Sequence, residues 1–168
     1  DILVVPGGVG SREVIKDNYI LSMINKISKK SEILLSICSG VLILGKNGLF
    51  DNKKYCTHHA VYNEAEQIIS NGIPCKEDRF IKVAGRIFSS AGVTAGIDAS
   101  FAVIYDLYGS DKVEKTKTYI NIQNHTKKIT KTIQNRFCIE KSEKRSIEEF
   151  RVMREMHARA LKLFSPFF

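Results

Sequence analysis

Features typical of several protein classes are missing from this chain of 168 residues. No stretch reaches the roughly 18 uninterrupted apolar residues of a membrane-spanning helix. The first residues, Asp1 to Pro6, lack the basic opening of a signal peptide, and no internal repeat is present. The sequence therefore predicts a soluble, cytoplasmic protein without membrane contact. Because the chain opens with Asp1 and enters an apolar run at once, we expect a segment before it to be absent.

The four cysteines, Cys38, Cys56, Cys75 and Cys138, are scattered along the chain without CxxC spacing. This distribution argues against both a zinc module and a disulfide scaffold. A chain of this length can bury roughly two thirds of its unfolded surface in one core, so it needs neither for folding. We therefore predict thiols in a reducing compartment and no metal site.

The net charge of +8 is concentrated in the C-terminal third of the chain. Residues 1–110 carry 12 Lys and Arg against 11 Asp and Glu, whereas residues 111–168 carry 14 against 7. A basic tail without a pattern is more often solvating than specific, because phosphate contacts need basic residues clustered on one face. Nucleic acid is therefore not expected as a partner.

Short apolar runs alternate with glycine turns and helical periodicity through residues 1–110. Strands are predicted at residues 2–5, 33–37, 80–83 and 86–88, and helices at residues 18–30, 41–45, 60–70 and 94–108. Ala84 and Gly85 resemble a two-residue hairpin turn, which inserts one antiparallel strand. The alternation predicts an α/β fold, a mostly parallel sheet with helices on both faces.

The character of the sequence changes at about residue 110. Residues 116–133 are rich in Lys, Thr, Asn and Gln, which predicts a linker or a loosely ordered segment. The capping-box sequence that begins at Ser146 then predicts an amphipathic helix at about residues 146–164. We therefore predict one α/β domain at residues 1–110 and a basic extension with one helix at residues 111–168.

Cys38 lies in the sequence Ser36-Ile37-Cys38-Ser39-Gly40, between a predicted strand and a predicted helix. A sharp corner there can hold a thiol in a strained, exposed position, like the nucleophile elbow of hydrolases. The start of the helix favours the thiolate, which is the nucleophile. The N–H groups of Ser39, Gly7 and Gly8 would face charge that develops on a substrate. The alternative is an inert buried cysteine, the commoner state of this residue type.

Three ordered segments resemble the ThiJ/PfpI family of the class I glutamine-amidotransferase-like superfamily. They are DILVVPGGVG at residues 1–10, LLSICSGVLILGKNGLFDNKKYCTHH at residues 34–59 and RIFSSAGVTAGIDASFAVIYDLYG at residues 86–109. The third segment most resembles the isonitrile hydratase branch, and also the amidase-like domains of some transcriptional regulators.

This resemblance implies a flavodoxin-like fold, a homodimer and a small-molecule substrate. It assigns Cys38 as the nucleophile, Gly8 and Ser39 as oxyanion donors, and a reacting hydroxyl to Ser39. The family's acidic residue precedes its first motif, and no position of this chain corresponds to it. The implied activity is that of a cofactor-free lyase that hydrates an isonitrile to an N-substituted formamide.

His58 is the third candidate catalytic residue, because the family often carries a histidine at this place, close to the nucleophile. The alternative is a hydrogen-bonded histidine at the junction of a loop and a helix. Cys56, His58 and His59 do not predict a metal site, because adjacent histidines tend to diverge and no fourth ligand is near in sequence. Asp98, near the start of the last apolar helix, is expected to stabilise that helix by capping it or through the helix dipole, and not to act in catalysis.

Two other functions remain open at this point. The same pocket fits a non-enzymatic domain that senses a ligand or the redox state through Cys38, including the domain of a transcriptional regulator. Glyoxal-type chemistry would use the same cysteine on a carbonyl carbon. The sequence alone does not separate these substrates.

Overall fold

The computed structural model describes residues 1–122. Its strands are β1 (Ile2–Val5), β2 (Ile33–Ile37), β3 (Lys54–Tyr55), β4 (Ile73–Pro74), β5 (Phe80–Val83) and β6 (Ile87–Ser90). Its helices are α1 (Ser11–Val14), α2 (Asn18–Lys30), α3 (Gly40–Lys46), α4 (Tyr62–Ile68), α5 (Val93–Tyr108) and α6 (Ser110–Tyr119), with a 3-10 turn at His59–Val61. The helix predicted at about residues 146–164 lies outside the described residues.

The main sheet has four strands in the order β1-β2-β6-β5. The pairs β1-β2 and β2-β6 are parallel, and the hairpin strand β5 is antiparallel to β6. Helix α3 packs on β1 and β2, and α5 packs on β2, β5 and β6. The fold is therefore α/β and flavodoxin-like, with a mostly parallel sheet and helices on both faces, as the sequence predicted.

The strands and helices follow from local sequence chemistry. Four of the five residues of β2 are apolar, the exception being Ser36, and four of the five are buried, as expected for a central strand covered on both faces. Helix α2 begins after Asp17, whose carboxylate accepts hydrogen bonds from the N–H groups of Tyr19 and Ile20 at 2.9 and 3.1 Å. Helix α5 ends at Gly109, whose φ of +80° is left-handed.

The hairpin has a three-residue loop, not the two-residue turn that the sequence suggested. Val83 pairs with Ile87, so Ala84, Gly85 and Arg86 form the loop between β5 and β6. The Arg86 guanidinium donates to the carbonyl groups of Ser28 and Ser31 at 3.0 and 2.8 Å. These contacts hold the Arg86 side chain at the end of α2.

Helix α6 occupies a segment for which the sequence predicted linker-like character. The compact unit extends to Ile122, beyond the predicted boundary at residue 110, and α6 packs against α5. Val113 and Lys117 are only 3% and 2% exposed. The Lys117 ammonium pairs with Glu114 at 3.0 Å and lies 5.4 Å from the centre of the Phe101 ring. The aliphatic part of the Lys117 side chain therefore covers apolar surface between α6 and α5. A count of apolar residues in the sequence does not detect this contribution.

None of the helices within residues 1–122 is long and apolar enough to cross a membrane.

Candidate active site

The candidate site lies where the carboxyl ends of three neighbouring strands meet. Strand β1 runs into Gly7 and Gly8, β2 runs into Cys38, and β6 runs into Ala91. The register places Val5 beside Ser36 and Ile37 beside Ser90, so the loops after these strands are adjacent. Parallel sheets commonly bind ligands at this edge.

Cys38 forms the sharp corner that the sequence predicted between β2 and α3. Its φ of +55° lies in the left-handed region, which is rare for a residue with a side chain. The Cys38 N–H donates to the carbonyl groups of Ser90 and Ala91, each at 3.1 Å. The Cys38 carbonyl accepts a hydrogen bond from Thr57 Oγ1 at 2.7 Å. Both backbone groups of this strained residue are therefore held, while the thiol is partly exposed.

Two glycines allow the loop after β1 to approach this corner closely. A Cβ atom on Gly7 would lie 2.7 Å from the Ser39 nitrogen and 2.8 Å from Cys38 Cβ. A Cβ atom on Gly40, the first residue of α3, would lie 2.2 Å from the Val5 carbonyl oxygen. Real atoms do not approach so closely, so a side chain at either position would separate β1 from the corner.

Ser39 ties the glycine loop to the corner. Its hydroxyl accepts a hydrogen bond from the Gly8 N–H at 2.9 Å and donates to the Gly8 carbonyl at 3.1 Å. The Ser39 side chain is 3% exposed. The Gly8 N–H, a predicted oxyanion donor, is therefore engaged by Ser39 in this structure. It would become available to a substrate only if the serine hydroxyl turned away.

His58 lies beside the corner but does not bond the cysteine. Its Nδ1 accepts a hydrogen bond from the Ala60 N–H at 3.3 Å, which caps the 3-10 turn. Its ring packs on the His59 ring at 4.1 Å between centres. A Cβ atom on Gly92 would lie 3.3 Å from His58 Cδ2. Within residues 1–122, no hydrogen bond joins His58 to Cys38, so the helix-junction role is the one visible here.

Sequence reasoning missed an ion pair near the site, between Arg12 and Glu64. Arg12 lies on α1, just after the glycine loop, and its guanidinium contacts Glu64 Oε1 on α4 at 2.5 Å. Glu64 raises the pKa of Arg12, through the hydrogen bond and through its charge, and the charge of Cys38 adds a smaller contribution. The four-residue helix α1 has too few residues for a periodic signal, and Glu64 is distant in sequence, so no local pattern indicated the pair.

Cys56 and Asp98 make contacts outside the corner at Cys38. The Cys56 side chain is fully buried, and its sulfur lies 2.7 Å from the Asp78 carbonyl oxygen. Asp98 does not cap α5; its carboxylate pairs with the Arg79 guanidinium at 2.6 Å. No group of three or more His, Cys, Asp or Glu side chains within the described part of the chain could hold a metal ion.

The arrangement of motifs around Cys38 matches a known family. The model of the DJ-1/PfpI family matches residues 1–105. The chain belongs to the DJ-1/PfpI family. An isonitrile hydratase from Pseudomonas putida is 32% identical over 114 residues, which are 68% of this chain and 48% of that protein. Protein DJ-1 homolog A from Arabidopsis thaliana is 29% identical over 122 residues, 71% of this chain and 30% of that protein.

Solved structures share the fold of this chain. A ThiJ/PfpI family protein from Pseudomonas syringae superposes with a TM-score of 0.66 at 26% identity, over 73% of this chain and 49% of that one. Drosophila melanogaster DJ-1beta has a TM-score of 0.60 at 18% identity, over 71% of this chain and 62% of that one. The DJ-1/PfpI chain described here spans about half the length, or less, of the curated relatives that it matches.

Proposed function

We propose that this DJ-1/PfpI chain carries the cysteine site of a hydratase that adds water to an isonitrile carbon and releases an N-substituted formamide. The observation that carries the proposal is the geometry of Cys38, a partly exposed thiol at a left-handed corner with both backbone groups held. The isonitrile hydratase relative, 32% identical, supports this substrate class over others.

In the proposed reaction the Cys38 thiolate attacks the isonitrile carbon and forms a C–S bond. A proton then adds to that carbon and gives a thioimidate. Water adds to the same carbon, the C–S bond breaks, and the nitrogen takes a proton, so that one water is consumed for each formamide released. The thiol is regenerated, and no cofactor takes part.

Ser39 is the residue best placed to assist these steps. Its hydroxyl adjoins Cys38 in sequence and is held by both backbone groups of Gly8. A hydroxyl that already donates and accepts can pass a proton without a large movement, and its own N–H begins helix α3 beside the thiol. We assign Ser39 as the group that transfers the proton to the bound carbon, and His58 as a residue that lines the site.

We also expect this chain to form a homodimer and to act in the cytoplasm.

The proposal is tested by incubating the full chain with a simple alkyl isonitrile and measuring formamide by NMR. We expect turnover by the native protein, none by Cys38→Ala, and a rate for Ser39→Ala that is lower by about 10²–10⁴-fold, the range of a lost general acid. Ser39→Thr, which keeps the hydroxyl, serves as the matched control and should retain turnover. Formamide release by Cys38→Ala at the native rate would overturn the proposal.

The alternative is a domain that senses a ligand or the redox state and has no turnover. The observation in its favour is that His58 bonds the Ala60 N–H and not the thiol, so no base is bonded to Cys38 within the described residues. Rapid alkylation of Cys38 without any formamide release would favour this function.

A further inference from the structure

Cys56 and Cys75 lie side by side at the end of the small two-stranded sheet. In that sheet Tyr55 pairs with Pro74 in parallel register, so the next position places Cys56 beside Cys75. The Cys75 N–H donates to the Tyr55 carbonyl at 2.8 Å, which continues the pairing. Neighbouring strands lie about 4.8 Å apart, within the range of about 4.4–6.8 Å between the Cα atoms of a disulfide. The backbone spacing therefore suits a disulfide.

The two thiols differ in exposure in the way that a redox pair requires. Cys56 is fully buried, and its sulfur lies 3.3 Å from the carbonyl oxygen of Cys75 itself. Cys75 is partly exposed, so a small oxidant reaches it first. Redox-sensing cysteines typically combine one accessible sulfur with a nearby resolving thiol.

We propose that Cys56 and Cys75 form a redox modification site, a dithiol that hydroperoxides convert to a disulfide. The Cys75 sulfur attacks the peroxide, so that an S–O bond forms, the O–O bond breaks and an alcohol or water leaves. The Cys56 sulfur then attacks the Cys75 sulfur, the S–S bond forms, and the oxygen leaves as water with the Cys56 proton. Two thiols lose two electrons in total, and one hydroperoxide is reduced.

The pair is connected to the candidate active site through Thr57 and Ser89. Thr57 follows Cys56 directly, is 1% exposed and donates its hydroxyl to the Cys38 carbonyl at 2.7 Å. The Cys56 N–H also donates to Ser89 Oγ at 2.8 Å, on the strand whose end holds the Cys38 N–H. A disulfide would turn the Cys56 sulfur away from the Asp78 carbonyl oxygen, which lies 2.7 Å from it, and we expect this movement to weaken the contacts of Cys56 and Thr57. The effect of the disulfide on the candidate active site rests on the proposed role of Cys38, whereas the formation of the disulfide does not.

The disulfide is tested in the full chain carrying Cys38→Ala, which removes the predicted nucleophile. The protein is treated with hydrogen peroxide, alkylated, digested without reduction and mapped by mass spectrometry. We expect a peptide pair that joins Cys56 to Cys75 and that dithiothreitol separates. A Cys75–Cys138 linkage, or Cys75 sulfinic acid beside an intact Cys56 thiol, would overturn the proposal. Because no turnover is measured, failure here leaves the hydratase proposal untouched.

The effect on the site is tested by comparing the native chain with Cys75→Ser, which cannot form the disulfide and changes a partly exposed side chain. Both proteins receive the same peroxide dose, so that Cys38 is oxidised directly to the same extent in each. We expect peroxide to lower the alkylation rate of the remaining Cys38 thiol about fivefold more in the native chain than in Cys75→Ser. This factor corresponds to the free energy of one hydrogen bond. Equal rates would show that the disulfide does not reach the site.

Discussion

At the residue scale, the candidate site depends on one strained backbone position. A left-handed residue with a side chain costs on the order of 1–3 kcal/mol and persists only where its surroundings enforce it. The surroundings of Cys38 do so through Ser90, Ala91 and Thr57, which bond its N–H and carbonyl groups. The corner was predictable from the adjacent Cys-Ser-Gly sequence. The bond from Thr57 was not, because that residue is distant in the chain.

Gly7 gives the most local test of this corner. In Gly7→Ala, the new methyl group would lie 2.7 Å from the Ser39 nitrogen and 2.9 Å from the Ile37 carbonyl oxygen. We expect the free energy of unfolding to fall by about 1–3 kcal/mol, as for other overpacked sites, and alkylation of Cys38 to slow. Urea denaturation and timed alkylation measure both.

Gly10→Ala is the matched control, because nothing lies within 4 Å of a Cβ atom built on Gly10. It lies in the same loop and should leave both quantities unchanged. Equal losses in the two variants would show that the loop tolerates no side chain at all, and that the close approach at Gly7 is not the cause.

At the element scale, elements with a continuous apolar run were predictable, whereas the two-residue strands and the polar helix α6 were not. Helix α5 and strand β2 are confirmed close to their predicted bounds, because both are strongly apolar. Gly92 and Gly109 also flank α5. The two-residue strands β3 and β4 have no period of their own, and pairing across the intervening helix α4 defines them. Helix α6 was missed because Lys117, a charged residue, supplies part of its buried face.

The small strand β3 carries a second testable feature, the hydroxyl of Tyr55. This side chain is fully buried, and its hydroxyl has no hydrogen-bond partner among residues 1–122. Burial, the largest cause, raises the pKa of Tyr55 to about 12. The unfolded chain loses this proton near pH 10, its ordinary value, while the folded chain keeps it. Stability should therefore fall between about pH 10 and pH 12.

Tyr55→Phe removes the hydroxyl group. The variant therefore has no group that titrates at this position and no buried hydroxyl to hydrogen-bond. We expect the variant to match the native chain within about 1 kcal/mol at pH 7, because no hydrogen bond is lost, and to lose less stability than the native chain above pH 10. Thermal unfolding at pH 7 and pH 11 measures the difference. A large loss at pH 7 would show that the hydroxyl has a partner in the folded protein.

At the scale of the whole molecule, the sequence predicted the fold class and the edge of the sheet where the candidate site lies. Polarity alone defined the predicted boundary at residue 110, and the helix that follows it, α6, was not predicted. The observed unit ends at Ile122 and includes the buried side chains of α6. Membership of the DJ-1/PfpI family followed from three ordered motifs, which together are more specific than the cysteine corner alone.

Two truncations test this boundary. A chain of residues 1–122 should fold and keep a reactive Cys38, because it contains the whole compact unit. A chain of residues 1–110 should be less stable by at least about 1.5–3 kcal/mol, the contribution of one fully buried aliphatic side chain such as Val113. Circular dichroism during urea unfolding gives both values. Equal stability of the two truncated chains would show that α6 contributes nothing to the core.

The central claim, that Cys38 is the covalent nucleophile, is tested most directly by trapping the intermediate. The full chain is mixed with excess alkyl isonitrile, quenched with acid within the first turnover and analysed by mass spectrometry. We predict that one isonitrile mass is added to the protein and that peptide mapping places it on Cys38. Formamide release with no adduct on Cys38, or an adduct on Cys75 instead, would contradict the account.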